Sequence, residues 1–518
     1  TLFLTTTLNK HPQVTRAVVA HFTTRFDPSL AEVPQTNIEN LLGSIERINE
    51  DRAFRKLFEL VDATVRTNFF QRIGDEVPAN LAFKLIPRLI DGLPKPLPAV
   101  ETFVFGAAVE GVHLRSSQVA RGGIRWSDRS EDYRTEILDL MKTQVVKNAL
   151  IVPSGAKGGF FVKDPDIAPQ PGLACYRMFI GCLLDITDNI VAGEVVPPAG
   201  VRRYDGDDPY LVVAADKGTA TFSDEANALA QQRGYWLADA FASGGATGYD
   251  HKKMGITARG AWVSVVHHLQ RRGLDAQADA VTTVGIGDMS GDVFGNGLLS
   301  SRSIRLVAAF NHRHIFLDPD PDPQVSFDER KRLFEAALGW DSYDTTLLSS
   351  GGGVYERTAK SIAVTPEVAS LLGLEAGAIA PDEMISAILC AEVALLWNGG
   401  VGTYVKASWE RNADVGDRAN DGLRVDANAL RCAVIGEGGN LGMTQAARVE
   451  FASLGGAVNA DFIDNSAGVD CSDHEVNLKI LLNTEVSAAR LDLPERDAML
   501  RQHEDDIAAL VLANNQRQ

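Results

Sequence analysis

At 518 residues the chain is too long for one compact core, so two or three domains are expected. Hydrophobic residues at 45% and charged residues at 23% place it with globular rather than disordered proteins. A formal charge of −18 argues against a nucleic-acid surface, which needs a basic face, but is compatible with an anionic small substrate held by a few buried cations.

No run approaches the roughly twenty apolar residues that span a bilayer. The opening TLFLTTTLNKHPQ has neither the charged start nor the cleavage site of a signal peptide. Cys175, Cys182, Cys390, Cys432 and Cys471 form no CxxC pair, and so sparse and odd a set points to a reducing cytoplasm. The first residue is not methionine and the end, DDIAALVLANNQRQ, reads as helix, so a piece of a longer protein is expected.

Residues 1–95 read as a mainly helical segment. Phe54, Leu57, Phe58, Val61, Val65 and Phe69 fall at helical spacing and predict one core-facing stripe. The Pro-rich DGLPKPLPAVE then breaks the pattern. From Thr102 short apolar runs alternate with amphipathic stretches, the pattern of an α/β protein with a largely parallel sheet.

Two sheets are expected in succession. ALIVPSG and LVVAAD flank a helical segment from Gly172 to Ile190 in a domain over residues 96–245. AVTTVGIG, IRLVAAF, EVALLW and RCAVIG are buried-strand candidates in a second domain over residues 246–472. The helical residues 473–518 are expected to pack back on the first. The fold class is therefore α/β, two Rossmann-like domains facing across a cleft.

RGGIRWSDR, a helix EDYRTEILDLMKTQVVKN and a loop SGAKGGFF gather Arg121, Arg125, Lys147 and Lys157 within one short stretch of an acidic protein. Paired glycines beside a cation let backbone approach a ligand closely. Taken singly, Lys147 is a helix-end charge that the dipole tolerates, and Lys157 a turn lysine. AKGG has no Ser or Thr after its lysine and is no P-loop. Asp216 closes LVVAAD at the strand edge where open α/β sheets place ligands, though a turn or N-cap aspartate would look the same.

Gly285-x-Gly287-x-x-Ser290 follows a strand and opens a helix as a dinucleotide fingerprint should, with Ser290 in the place of the third glycine. IRLVAAF ends at Asn311, where an acidic residue would bind the ribose hydroxyls. The turns WNGGVGTY, with Asn398, and GEGGN, with Asn440, each offer amides to a ligand and equally suit structural turns. His267-His268 and His312-x-His314 lack carboxylate or cysteine partners, and no metal site is expected.

Together RGGIRWSDR, QVVKNALIVPSGAKGGF, GYDHKKMGITARGA, GIGDMSGDVFGNG, NGGVGTY and DNSAGVDCSDHEVN, in this order, resemble the glutamate dehydrogenases, most closely their large NAD-specific branch. The resemblance implies oxidative deamination of L-glutamate to 2-oxoglutarate and ammonium, with NAD as hydride acceptor, in a homo-oligomer. It implies Lys157 as the catalytic lysine and Asp216 as the proton-shuttling carboxylate. Lys147 would hold the substrate α-carboxylate, and Arg121 and Ser472 its side-chain carboxylate. Arg121 stands where the small hexameric members have lysine. Thr257 and Asn440 would lie by the nicotinamide, with Gly285, Gly287, Ser290, Asn311 and Asn398 also on the coenzyme. Ser290 and Asn311 depart from the pattern, and Asn311→Asp is expected to sharpen preference for NAD over NADP. The rivals are a dehydrogenase for an apolar amino acid, which would want no Arg121 or Ser472, and a non-catalytic nucleotide-binding module, which would lack Lys157 or Asp216.

Overall fold

The computed structural model describes residues 2–30, 38–71, 76–148, 154–216, 218–219 and 221–518, apart from the side chains of 143, 144 and 146–148. The chain divides into two compact units, Thr1–Tyr249 with Glu475–Leu500, and Asp250–His474 with Arg501–Gln518.

The first unit is built on a seven-stranded sheet. Its strands are β1 (Thr64–Thr67), β2 (Asn80–Leu85), β3 (Val100–Gly106), β4 (Val109–Arg115), β5 (Ala120–Trp126) and β6 (Ser154–Val162), with a small hairpin β7 (Asn189–Val191) and β8 (Glu194–Val196) outside it, and β9 (Val212–Ala215). The order is β1-β2-β3-β4-β6-β5-β9. Neighbours from β1 through β6 are antiparallel, whereas β5 runs parallel to both β6 and β9.

Alternation along β6 sends successive side chains to opposite faces. Phe160 packs against Phe179 and Tyr176 of the helix Pro171–Asp185, and Phe161 against Tyr133 of the helix Tyr133–Asn148. Each face is thus covered by a helix. SGAKGGFF is therefore strand, not loop: its glycines admit close neighbours, since a Cβ on Gly158 or Gly159 would overlap Ile124 or Ile137. The residues ALIVP before it fall outside the described residues.

The N-terminal 95 residues are not helical throughout. The helix Ile48–Ala63 buries Phe54 and Phe58 beside Val14 and Leu42, but it stops before Val65 and Phe69. Thr64 ends it by returning both its N–H and its hydroxyl to Leu60 O, and the β-branched Thr64, Val65 and Thr67 then continue as β1. Arg66 lies fully buried on that strand, bonded to Asp188 at 2.8 Å and Asp205 at 2.7 Å.

His113 on β4 is buried between Gly158 and its surroundings, with Nε2 lacking a hydrogen-bond partner. Burial, with the nearby Arg115, pushes it down to about 3. The unfolded chain takes up this proton from about pH 6.5 downward while the native chain does not. The contribution to stability is therefore complete above pH 6.5 and lost as pH falls toward 3, at up to about 1.4 kcal/mol per pH unit. His113→Gln should flatten the pH dependence of urea-unfolding free energy between pH 6 and 4 by a comparable slope; parallel curves would dismiss the assignment.

The second unit holds a six-stranded sheet with order β13-β12-β11-β10-β16-β19. These are β10 (Val281–Ile286), β11 (Ile304–Phe310), β12 (His314–Leu317) and β13 (Gly353–Glu356), then β16 (Leu395–Asn398) and β19 (Val434–Glu437). Two small ladders, β14 (Ile362–Val364) with β15 (Gly377–Ile379) and β17 (Val405–Lys406) with β18 (Val425–Asp426), lie outside it. β10, β11, β16 and β19 are mutually parallel, and they are the four apolar runs expected from the sequence. From β10 the chain goes first to β11 on one side and later to β16 on the other, which creates a topological switch point at their carboxyl ends.

The C-terminal helices do not all pack on the first unit. The helix Ser466–Ser487 runs through the boundary at His474, and the helix Glu504–Arg517 packs instead on the helix Ile256–Arg271. Gly260 makes that approach possible: a Cβ there would lie 2.8 Å from Asn515 Oδ1. Asn515 in turn donates to Ser466 Oγ at 3.1 Å. Among the described residues no helix is long and apolar enough to cross a membrane.

Candidate active site

On β5 the alternation puts Arg121, Gly123 and Arg125 on one face, the face on which Lys157 projects from the neighbouring β6. Asp216 follows the last residue of β9, on the other side of β5. Lys157 Nζ reaches across β5 to Asp216 Oδ2 at 2.5 Å. It crosses over Gly123, whose missing side chain leaves the room: a Cβ there would lie 3.1 Å from Asp216 Cβ and 3.4 Å from Lys157 Nζ. The glycines of RGGIR thus serve approach of strand to strand and of side chain to side chain. A Cβ on Gly122 would overlap the carbonyl of Ala156.

Arg125 completes the cluster. Its Nε donates to the same Asp216 oxygen at 2.9 Å, and its Nη1 donates to Glu136 Oε1 at 3.0 Å. Ser127 Oγ holds the other Glu136 oxygen at 2.6 Å. The Asp216 turn is fixed by Thr219, whose hydroxyl accepts the Asp216 N–H at 3.1 Å and donates to Ile124 O at 2.6 Å.

Lys157 is 7% exposed, and burial holds its ammonium below the ordinary lysine range. Asp216 opposes that shift and Arg125 adds to it. Asp216 moves the other way from what burial alone would do. The charges and hydrogen bonds of Lys157 and Arg125 keep it ionised, well below the usual carboxylate range. A lysine that loses its proton readily, beside a carboxylate that stays charged, is the arrangement a general base needs. Arg121 is 6% exposed, with Nη2 on Asn477 Oδ1 at 2.7 Å and Nε on the Tyr210 hydroxyl. The Lys147 side chain lies outside the described residues.

In the second unit, Gly285 and Gly287 end β10 against Phe294, which a Cβ on either would meet at 2.6 Å. Gly287 also needs its φ of +138°. Ser290 donates N–H and hydroxyl to Asp288, the N–H at 2.9 Å. Asn311 spends its carbonyl on the N–H groups of Arg313 and His314, each at 2.7 Å, and its amide on Asp288 at 2.7 Å. Asn398 and Asn440 stand at the ends of β16 and β19, in turns packed together so closely that Gly439 donates to Asn398 O at 3.0 Å. Asn440 accepts from Asn465 at 2.9 Å. Thr257 is half-buried, and a Cβ on Gly468 would lie 2.7 Å from its hydroxyl. Ser472 is half-buried on the helix Ser466–Ser487.

Asn398 is the most informative of these. It is buried, its Oδ1 accepts the Gly400 N–H at 3.1 Å, and its Nδ2 has no hydrogen-bond partner. Nδ2 faces Gly442, where a Cβ would lie 1.8 Å from it, so the side chain fills the space that this glycine leaves beside the strand end. Asn311→Asp, by contrast, would place a carboxylate against Asp288. The expected result is about tenfold weaker kcat/KM with both NAD and NADP and no gain in their ratio. A sharpened ratio in steady-state assays would restore the ribose reading.

Glu136, Tyr210, Asn477 and Asp288 were not singled out as site residues from the sequence, and Arg125, gathered there with the other cations, was given no role. Arg125 had a signal: read as strand, RGGIR places it four residues from Arg121 and on the same face. Asn477 closes the motif DNSAGVDCSDHEVN, but only the fold brings it to Arg121; Tyr210 had no signal.

A switch-point parallel sheet with glycine turns in one unit, and a lysine–carboxylate pair reaching across β5 in the other, define a two-unit α/β protein. Residues 37–518 match the family described as bacterial NAD-glutamate dehydrogenase, catalytic domain, and the chain belongs to that family. It is 56% identical to the NAD-specific glutamate dehydrogenase of Pseudomonas aeruginosa and 54% to that of Halomonas elongata, covering 100% of this chain and 33% of each relative. Identity to the Mycobacterium tuberculosis protein of the same name is 52%, over 100% of this chain and 34% of the relative. The chain thus spans about a third of the length of the curated relatives it matches.

Proposed function

We propose that this chain carries the catalytic core that interconverts L-glutamate with 2-oxoglutarate and ammonium. The observation that carries the reading is the buried Lys157–Asp216 pair at 2.5 Å, cross-braced by Arg125. NAD, when bound, accepts the hydride from the amino-acid α-carbon. Gly285, Gly287, Ser290, Asn398, Asn440 and Thr257 would hold it, with Asn311 supporting the adenosine-side loop through Asp288.

Neutral Lys157 takes a proton from the water that adds to the iminium carbon, then returns it as the carbinolamine collapses. Reaching neutrality near pH 7–8 from about 10.4 requires roughly three pH units, ~4 kcal/mol. Burial and the Arg125 charge act in this direction, against Asp216 and Glu136. Asp216 carries protons to and from the amine and steadies the lysine between steps. Lys147 takes the α-carboxylate, and Arg121 with Ser472 the side-chain carboxylate. That last assignment sets glutamate apart from an apolar amino acid.

NADH oxidation by the full-length protein, with ammonium and either 2-oxoglutarate or 2-oxoisocaproate, tests the reading. Turnover of 2-oxoglutarate at least about a hundredfold faster is expected, since a buried guanidinium suits a second carboxylate and penalises an apolar side chain in its place. Equal rates, or none, would overturn it.

A further inference from the structure

Two side chains from distant parts of the chain hydrogen-bond the guanidinium of Arg121. Nε donates to the Tyr210 hydroxyl and Nη2 to Asn477 Oδ1, while Cζ lies 5.6 Å from the centre of the Tyr210 ring. Both of these partners are neutral acceptors, which orient a guanidinium through its N–H groups.

Neither partner is loosely mounted. Five consecutive residues around Tyr210 are anchored one by one. Asp207 O accepts the Gln118 amide. Asp208 gives its N–H to Asp188 at 2.8 Å and bridges Lys84 and Arg115 with its carboxylate. Pro209 O takes Tyr235 and Trp236 donors at 2.6 and 2.7 Å. Tyr210 O accepts Arg115 at 3.1 Å, and the Leu211 N–H donates to Tyr235 at 3.0 Å. Asn477 lies two residues beyond the fully buried Glu475, whose carboxylate accepts the Gly244 and Tyr249 N–H groups at 2.9 and 3.1 Å and pairs with Lys479 at 2.9 Å.

We propose that Tyr210 and Asn477 are positioning residues that aim the Arg121 fork, and thereby set selectivity for a substrate with a second carboxylate. The inference rests on Arg121 binding that carboxylate. A planar guanidinium grips through two parallel N–H bonds only when its plane is correctly turned, whereas an ammonium is a point charge that needs no aim. Fixing the plane beforehand removes an ordering cost from substrate binding.

The test is a cycle in the full-length protein. Tyr210→Phe keeps the ring and removes only the hydroxyl. It should raise KM for 2-oxoglutarate about tenfold, with kcat and the KM values for ammonium and NADH within about twofold. Asn477→Ala should act the same way. In an Arg121→Lys background, Tyr210→Phe should change KM by less than about twofold. An unchanged KM in the single variants, or an equal rise in the lysine background, would overturn the proposal, with melting temperatures confirming that each variant folds. Arg121→Leu separates the two readings. If it changes the preference for 2-oxoglutarate over 2-oxoisocaproate while Tyr210→Phe does nothing, positioning alone falls; if the preference does not move, the assignment of Arg121 falls too.

Discussion

Lys157→Ala is expected to lower kcat by several decades while leaving NADH affinity, measured by fluorescence titration, within about twofold of the parent. The lysine belongs to the first unit, and the residues proposed to hold the coenzyme belong to the second. Asp216→Asn should lower kcat comparably, since an amide cannot relay a proton, and it carries a second signature. Asp216 is the largest charge that opposes the depression of Lys157, so its removal leaves burial and Arg125 opposed only by Glu136. The lysine must be neutral to act, so activity rises with pH through its titration. That acidic limb of the residual kcat/KM profile should therefore move to lower pH in Asp216→Asn. A variant retaining more than about a tenth of parental turnover, a deficit under ~1.4 kcal/mol, would remove its residue from the mechanism. A limb that moves to higher pH would mean that the group being titrated is not Lys157.

The parallel strands of the second unit could be read directly, because strands covered on both faces appear as continuous apolar runs. The same rule hid β6. SGAKGGFFV is rich in glycine, which has weak strand preference, and its suitability as strand comes from Ile124 and Ile137 filling the spaces that Gly158 and Gly159 leave. The break at Ala63 was hidden differently. Val65 and Phe69 continue the helical spacing of Phe54 and Phe58, but Arg66 reaches the buried Asp188 from an extended strand. Tertiary ion pairing there outweighs local periodicity. Of the site, Lys157 and Asp216 stood out because glycines and a strand end mark them. Asn311 was read for what it could offer a ribose. The structure instead uses all three of its polar contacts within its own loop and on Asp288.

With Arg121 and Ser472 proposed to hold the side-chain carboxylate, the double variant Arg121→Leu, Ser472→Val should cut kcat/KM for 2-oxoglutarate by a few hundredfold or more. Charge-assisted hydrogen bonds contribute ~1.5–3 kcal/mol each, and a carboxylate buried without them costs more. Reduction of 2-oxoisocaproate should fall far less, or rise, because a neutral pocket no longer penalises an apolar side chain. Arg121 also bonds Tyr210 and Asn477, so leucine removes a hydrogen-bond donor from each of them. Some loss of stability is therefore expected and must be measured by melting before rates are compared. A purely structural Arg121 would depress both substrates together, since a loosened sheet end disturbs Lys157 whatever the substrate's side chain. A carboxylate-binding Arg121 changes their ratio. A well-folded double variant whose ratio of the two kcat/KM values equals the parent's would leave the Lys157–Asp216 chemistry standing and assign the selection of glutamate to other residues.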